Sequence, residues 1–395
     1  MEKRLIPEIR FKGFSEDWEE EQLSNIYEFS NGINAPKESY GKGRKMVSVL
    51  DILRDRNIIY DEIVSSVQLP KEQEETKKLE KGDMVFVRSS EVVEEVGWAK
   101  SYNEDKYALF SGFSIRGKKK SNNLSYFIEL SLNNKNRKQI ENKAGGSTRY
   151  NVSQKILREI NLLLPELTEQ EKIGRLFEKL DQTIELQGKV IEENKRLKRA
   201  LLQKLFPKKG QKLPDLRLKG FSGEWEEKKL CDLIEREYKG KIKFEDLSSG
   251  RVEYLDAERL NGGKIFYSNG IKDVEKDDIL ILWDGSKAGM VYYGFEGILG
   301  STLKKYEIKN ENSSAFIYYY LYKNEEKIFA SYRTPNIPHV IRNFTEVFKI
   351  PIPSLPEQEA IGNLFRSLDE KIAREEERLE GYKTLKKALL QKMFV

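Results

Sequence analysis

Two residue types that build many catalytic and metal sites are nearly missing from this 395-residue chain, which has one cysteine, Cys231, and one histidine, His339. A lone cysteine excludes an intrachain disulfide and a thiolate metal cluster. A lone histidine removes His-rich zinc sites and weakens most Ser-His-Asp arrangements. No apolar run approaches the roughly 18 residues that cross a bilayer. The opening Met1–Pro7 lacks a signal-peptide core. The expectation is a cytoplasmic protein with no membrane partner. No phosphate-binding Gly loop is present, because Gly285-Ser286-Lys287 lacks the spacing. The Asn/Asp-Pro-Pro-aromatic tetrapeptide of amino-methyltransferases is also missing; Asn336-Ile337-Pro338-His339 is not one.

Charge and aromatic side chains are abundant. Charged residues make up 34% of the chain and the net charge is only +5, so a nucleic-acid partner is neither implied nor excluded by the total. Nineteen Tyr and nineteen Phe argue for packed cores rather than disorder.

The chain is an internal duplication. Pro7-Glu8-Ile9-Arg10-Phe11-Lys12-Gly13-Phe14-Ser15, followed by Trp18, returns as Pro214-Asp215-Leu216-Arg217-Leu218-Lys219-Gly220-Phe221-Ser222, followed by Trp225. Pro165, Glu169-Gln170-Glu171, Phe177 and Asp181 return as Pro353, Glu357-Gln358-Glu359, Phe365 and Asp369. Each half reads as a lead-in, a divergent globular segment and a closely matched helix. The expected boundaries are a first domain at 1–164, a helix at 165–206, a second domain at 207–352 and a second helix at 353–395.

The repeated stretch from Thr168 carries an apolar stripe at Ile173, Phe177, Leu180, Ile184, Ile191, Leu197, Leu201 and Leu205. Its copy carries Ile361, Phe365, Leu368, Ile372, Leu379, Leu385, Leu389 and Met393. The spacing is close to a heptad and predicts two long helices that bury their stripes on each other. Thr168 with Glu171 and Ser354 with Glu357 fit capping boxes. Connectivity makes the pair antiparallel. The fold class is α/β in the α+β sense: two globular domains separated by paired coiled-coil helices, with a pseudo-twofold repeat.

Within the domains, Met46–Leu50, Asp83–Val87 and Phe113–Arg116 read as strands, and Ser125–Leu130 reads as a short helix. In the second domain, Asp278–Leu282 matches the Asp83 strand, Ala288-Gly289 matches Val96-Gly97, and Phe316-Ile317-Tyr318 matches Tyr126-Phe127-Ile128. Loops between such elements gather small, amide and basic residues. Candidate DNA contacts are Lys42, Arg44, Lys45, Arg88, Ser89, Ser147, Thr148, Arg149, Tyr150 and Asn151 in the first domain. In the second they are Ser286, Lys287, Arg333, Thr334 and Asn336. Lys and Arg neutralise phosphate, and Arg and Asn can pair with guanine and adenine edges. Any one of these loops is more often an ordinary solvated turn. A nuclease-like pattern, Asp215 with Glu226-Glu227-Lys228, is not shared by the first repeat, which has Glu8 and Glu21 for Asp215 and Lys228.

The layout resembles the specificity (S) subunit of type I restriction–modification systems. The carrying strings are Pro165-Glu166-Leu167-Thr168-Glu169-Gln170 and Ser354-Leu355-Pro356-Glu357-Gln358. Beside them stand Gly146–Asn151, the Lys-Gly-Phe-Ser-x-x-Trp lead-ins at 12–18 and 219–225, and Lys81-Gly82-Asp83. The second copy departs at Arg333-Thr334-Pro335-Asn336, where the Gly-Ser string stands in the first. The resemblance implies two target recognition domains, each reading half of a split site on double-stranded DNA. It implies helices that set the spacer and dock two modification subunits, with restriction subunits joining through the complex. S-adenosylmethionine, ATP and Mg would be held by those partners, and this chain would carry no cofactor or catalytic residue. The alternative is an enzyme, either a DNA adenine methyltransferase or a metal nuclease.

Overall fold

The computed structural model describes residues 5–146, 148–334 and 338–395. Contacts divide the chain into two units, Met1–Gly188 with Glu377–Val395, and Lys189–Glu376. Each unit contains one globular domain, the first half of the long helix that follows it and the second half of the other long helix.

The long helices are Leu167–Lys204 and Leu355–Lys392, 38 residues each. Both begin at the residue after an acceptor that caps the first turn. The Glu166 carbonyl accepts from the N–H groups of Glu169 and Gln170, and the Ser354 carbonyl accepts from those of Glu357 and Gln358. Ser354 therefore stands at the cap, as expected. Thr168 does not; it lies inside the first turn, and its hydroxyl donates to Glu166 at 2.5 Å. Neither Glu169 nor Glu357 closes a capping box with a side chain, because each turns inward to an arginine.

Within the first unit, Phe177 meets Phe394 with ring centroids 6.0 Å apart, and Asp181 pairs with Lys386 at 2.5 Å. In the second unit, Phe206 stacks on Phe365 at 6.0 Å, Lys198 pairs with Asp369 at 2.5 Å and Lys195 with Glu376 at 2.7 Å. Numbers rise along one helix as they fall along the other, so the helices run antiparallel. Ile173, Phe177, Leu180, Ile191, Ile361, Phe365 and Ile372 are buried; Ile184, Leu201, Leu368, Leu379 and Leu389 are partly so. Leu197 and Leu385 leave the stripe, at 47% and 48% exposed. Each follows the previous stripe residue by six positions, a rotation of about 600°, which falls some 120° off the seam. The buried face instead continues through Asn194, Leu202 and Leu205.

The first domain holds a four-stranded antiparallel sheet in the order Tyr27–Asn31, Ser114–Lys119, Met84–Val87, Ala99–Ser101. Met84–Val87 is apolar at every position and buried on both faces, as a central strand requires. A smaller sheet orders Ser66–Val67, Tyr40–Val47 and Leu109–Phe110. The strand expected at Met46–Leu50 stops at Val47, because Ser48 caps a short helix, Val49–Leu53, through Asp51. The second domain repeats the plan: Ile234–Lys239, Leu303–Ile308, Ile279–Leu282 and Val291–Tyr292 form its four-stranded sheet.

In each domain a short helix, Ser125–Leu132 or Ser314–Lys323, lies against the long helices. Phe127 contacts Trp18 and Phe394, and Phe316 contacts Trp225 and Phe206. Phe316 thus corresponds to Phe127. The register expected from the sequence, with Phe316 opposite Tyr126, is off by one residue. The Gly97 and Gly289 match stands. Both have positive φ (69° and 100°) and donate their N–H to the last residue of the central strand, Val87 and Leu282. A Cβ on Gly97 would lie 2.4 Å from Ile140, so only glycine turns the chain there.

Candidate nucleic-acid interface

The Glu-Gln strings are fasteners. Arg10 forms a two-pronged bond to Glu169, with both N–O distances 2.8 Å, and Arg217 repeats it on Glu357 at 2.8 and 2.7 Å. Both carboxylates are fully buried. The planar guanidinium matches a carboxylate in a way an ammonium cannot. Gln170 accepts from the Leu124 N–H and donates to the Pro165 carbonyl; Gln358 accepts from the Ser313 N–H and donates to the Pro353 carbonyl. Each Glu ties down a lead-in and each Gln ties down the domain's short helix.

On this frame sit the loops. The hairpin carrying Arg149, Tyr150 and Asn151 pairs in antiparallel register with Ser89–Ser90, directly after the central strand. Arg149 Nε donates to Ser89 Oγ at 2.8 Å, and Val152 N–H donates to the Arg88 carbonyl. Arg88, Ser89, Arg149, Tyr150 and Asn151 are therefore one cluster. An open cleft beside it is lined by Arg88, Lys143, Asn151 and Lys155. Thr148 is exposed on the same hairpin; Ser147 lies outside the described residues.

The second domain places its counterpart in the same position. Arg333 bridges to Val340, and His339 to Asp284, the second residue after the central strand. Arg333 donates to the Ser286 carbonyl at 3.1 Å and stacks 3.6 Å over Phe329. Thr334 Oγ1 lies 3.1 Å from His339 Nδ1. Lys287 is exposed and 3.4 Å from Asn261. Asn336 lies outside the described residues. Thr334 and His339 thus pair as Gly145 and Asn151 do, and Val340 N–H reaches the Trp283 carbonyl as Val152 N–H reaches that of Arg88.

The Lys42–Lys45 group is partly drawn into the fold. Arg44 pairs with Glu74 at 3.1 Å, donates to the Tyr107 hydroxyl at 2.7 Å and lies over the Tyr107 ring. The Tyr107 hydroxyl, and then Arg44, hold the Glu74 carboxyl below its ordinary range. Lys45 donates to the Ile63 carbonyl at 2.5 Å, and Lys42 is exposed. The nuclease-like residues do not converge: Asp215 pairs with Lys208, Glu227 with Lys349 and Lys228 with Glu226. Among the described residues, no group of three His, Cys, Asp or Glu is placed to hold a metal. No helix there is long and apolar enough to cross a membrane.

The family model described as "Type I restriction modification DNA specificity domain" matches residues 15–196 and 222–381. The chain belongs to this family. Among curated members, the type I restriction enzyme MjaVIII specificity subunit of Methanocaldococcus jannaschii is 32% identical over 179 residues, 43% of this chain and 42% of that protein. The alignment thus spans less than half the length of that relative. A solved type I restriction–modification S subunit from M. genitalium has the same fold, with a TM-score of 0.68 at 17% identity over 99% of both chains. A chain from a structure of type I restriction–modification complex assembly matches with a TM-score of 0.55 at 15% identity, over 95% of this chain and 97% of that one.

The specificity-domain description thus matches this chain twice, and sequence reasoning placed candidate contacts in loops of both matched segments. It missed Phe113, which is 57% exposed beside the Arg88–Arg149 cluster. The signal was available, since Phe113 follows Ser111-Gly112, but it was absorbed into the strand that begins one residue later, Ser114–Lys119.

Proposed function

We propose that this chain is the DNA-reading subunit of a type I restriction–modification complex in the prokaryotic cytoplasm. Each domain reads one half of a bipartite duplex site, with phosphate contacts positioning it and base contacts specifying the sequence. The paired helices dock two modification subunits, and restriction subunits join through the complex. S-adenosylmethionine, ATP and Mg belong to those partners, and this chain supplies recognition without catalysis.

One observation carries the reading. The fasteners are identical in both halves, Arg10–Glu169 with Arg217–Glu357 and Gln170 with Gln358, while the candidate contact loops differ in sequence. A constant frame with a variable basic surface suits two readers of unlike sequences.

The test is the methylome of cells expressing this chain with its modification subunit. A split methylated motif is expected. One matched extra turn in both long helices should widen the unspecified spacer and leave both half-sites unchanged. No methylation, or half-sites altered by the insertion, overturns the reading. Binding of S-adenosylmethionine by the isolated chain, or nicking of DNA by it, would favour an enzyme instead.

A further inference from the structure

Phe113 is the large apolar side chain of the first candidate interface. It stands at the tip of a turn, Ser111-Gly112-Phe113-Ser114, and more than half of it faces solvent. The turn is fixed from several sides. Ser114 N–H and Oγ both donate to the Ser111 carbonyl, at 2.9 and 2.7 Å; Arg88 N–H donates to the Phe113 carbonyl at 2.8 Å; Gly32 N–H donates to the Ser114 carbonyl at 3.1 Å. A Cβ on Gly32 would lie 1.9 Å from the Ser111 oxygen, and one on Gly112 equally close to Asn34. The backbone therefore holds an aromatic ring outward in a set position.

Its surroundings are cationic. The Arg149 guanidinium lies 5.7 Å from the ring centroid, and Arg88 donates to the Gly112 carbonyl at 3.4 Å. A polyanion would be drawn to such a tip. With a guanidinium over one face, the ring is poorly placed to slide between stacked bases, whereas its 57% exposure leaves surface for a small apolar group.

The second domain builds the same turn with other residues. Leu303 N–H donates to the Gly300 carbonyl, Gly240 N–H to the Leu303 carbonyl and Trp283 N–H to the Thr302 carbonyl. Thr302 thus replaces Phe113 and Trp283 replaces Arg88. Trp283 is buried beneath Lys304, 3.5 Å from its ring centroid. The position is constant in backbone and divergent in chemistry, as a specificity position should be.

We propose that Phe113 determines specificity in the first half-site by contacting the C5-methyl group of a thymine next to a base engaged by Arg149. The major groove displays that methyl, and an aromatic side chain can meet it. The inference rests on the DNA-reading function proposed above and names one of its contacts.

The experiment takes the full chain with its modification subunit and selects duplexes from a random-sequence pool. In the selected duplex each first-half thymine is replaced by uracil, which removes only the methyl. One replacement should weaken wild-type binding about fourfold, the scale of one buried carbon group. Phe113→Ala should bind the thymine duplex more weakly, become indifferent to that uracil and keep the wild-type salt dependence. Phe113→Leu should retain part of the discrimination, and Thr302→Ala should leave the first half-site untouched. A pool that yields no preferred duplex overturns the DNA-reading function and this contact with it. A selected duplex that tolerates uracil at every first-half thymine overturns the role of Phe113 alone. So does a Phe113→Ala variant that keeps the uracil penalty. A 2-aminopurine probe brightened by wild type but not by Phe113→Ala would also overturn it, because that marks a wedge rather than a methyl contact.

Discussion

The Tyr126 hydroxyl donates to Asp181 at 2.5 Å, and the same carboxylate takes the Lys386 ammonium of the other long helix, also at 2.5 Å. Tyr319, Asp369 and Lys198 repeat the node in the second unit. The two tyrosines are not at matching positions. With Phe127 opposite Phe316, Tyr319 corresponds to Leu130, one helical turn beyond Tyr126, so the bond is reached from the next turn of the same face. Burial, and then the carboxylate, push both hydroxyls above their ordinary range, so each remains a proton donor.

Tyr126→Phe should therefore cost about 1.5–3 kcal/mol, the range for a hydrogen bond to a charged group. Urea unfolding of the two variants Tyr126→Phe and Tyr319→Phe measures it. Equal losses would show that the second solution is as good as the first; no loss would reduce the node to a bystander.

The lead-in arginines should matter more. Arg10→Met leaves the buried Glu169 without its cation, at a cost of about 3–5 kcal/mol. Replacing both partners, Arg10→Met with Glu169→Leu, should recover much of that. Thermal or urea unfolding decides, and additive losses in the double variant would contradict the account.

The departure of Leu197 from the seam has its own test. Leu197→Ala should change stability by no more than about 0.5 kcal/mol, as surface substitutions do. Ile191→Ala, only six residues away, should cost about 2–4 kcal/mol. Similar costs at both sites would restore the simple heptad.

Acid should loosen the small sheet of the first domain before the rest. Tyr107 and Arg44 lower the Glu74 pKa from its ordinary 4.5. The stabilisation from this contact is therefore fully present above that value and is lost as pH falls through the lowered folded value. Hydrogen exchange around residues 40–47 should rise in that window, and Glu74→Gln should remove the pH dependence there.

Arg149→Ala and Arg333→Ala should each relax selection at one half-site and leave the other intact, by about 1–3 kcal/mol where the arginine reads a base. Duplex selection with each variant reads this out. Uniform weakening with a reduced salt slope would make them phosphate contacts.

The duplication, the long helices and their antiparallel sense were legible because long repeated strings and a sustained stripe are local patterns. The role of the Glu-Gln string was not. Nothing in the sequence says that Glu169 turns inward to Arg10, 159 residues earlier, or that Thr168 leaves the capping to Glu166. Composition marked candidate loops, but it could not separate Arg149, held at the hairpin face by Ser89, from Arg44, held by Glu74 and Tyr107.

By itself the sequence determined what is periodic: two copies, two helices, and matched strings flanking two unlike segments. Tertiary structure decided which cations face outward, where Phe113 stands and how Tyr319 reaches Asp369 from a different turn. Periodicity encodes the face a residue presents along its own helix or strand. The partner it meets depends on distant segments brought together by burial, and that information is spread over the whole chain.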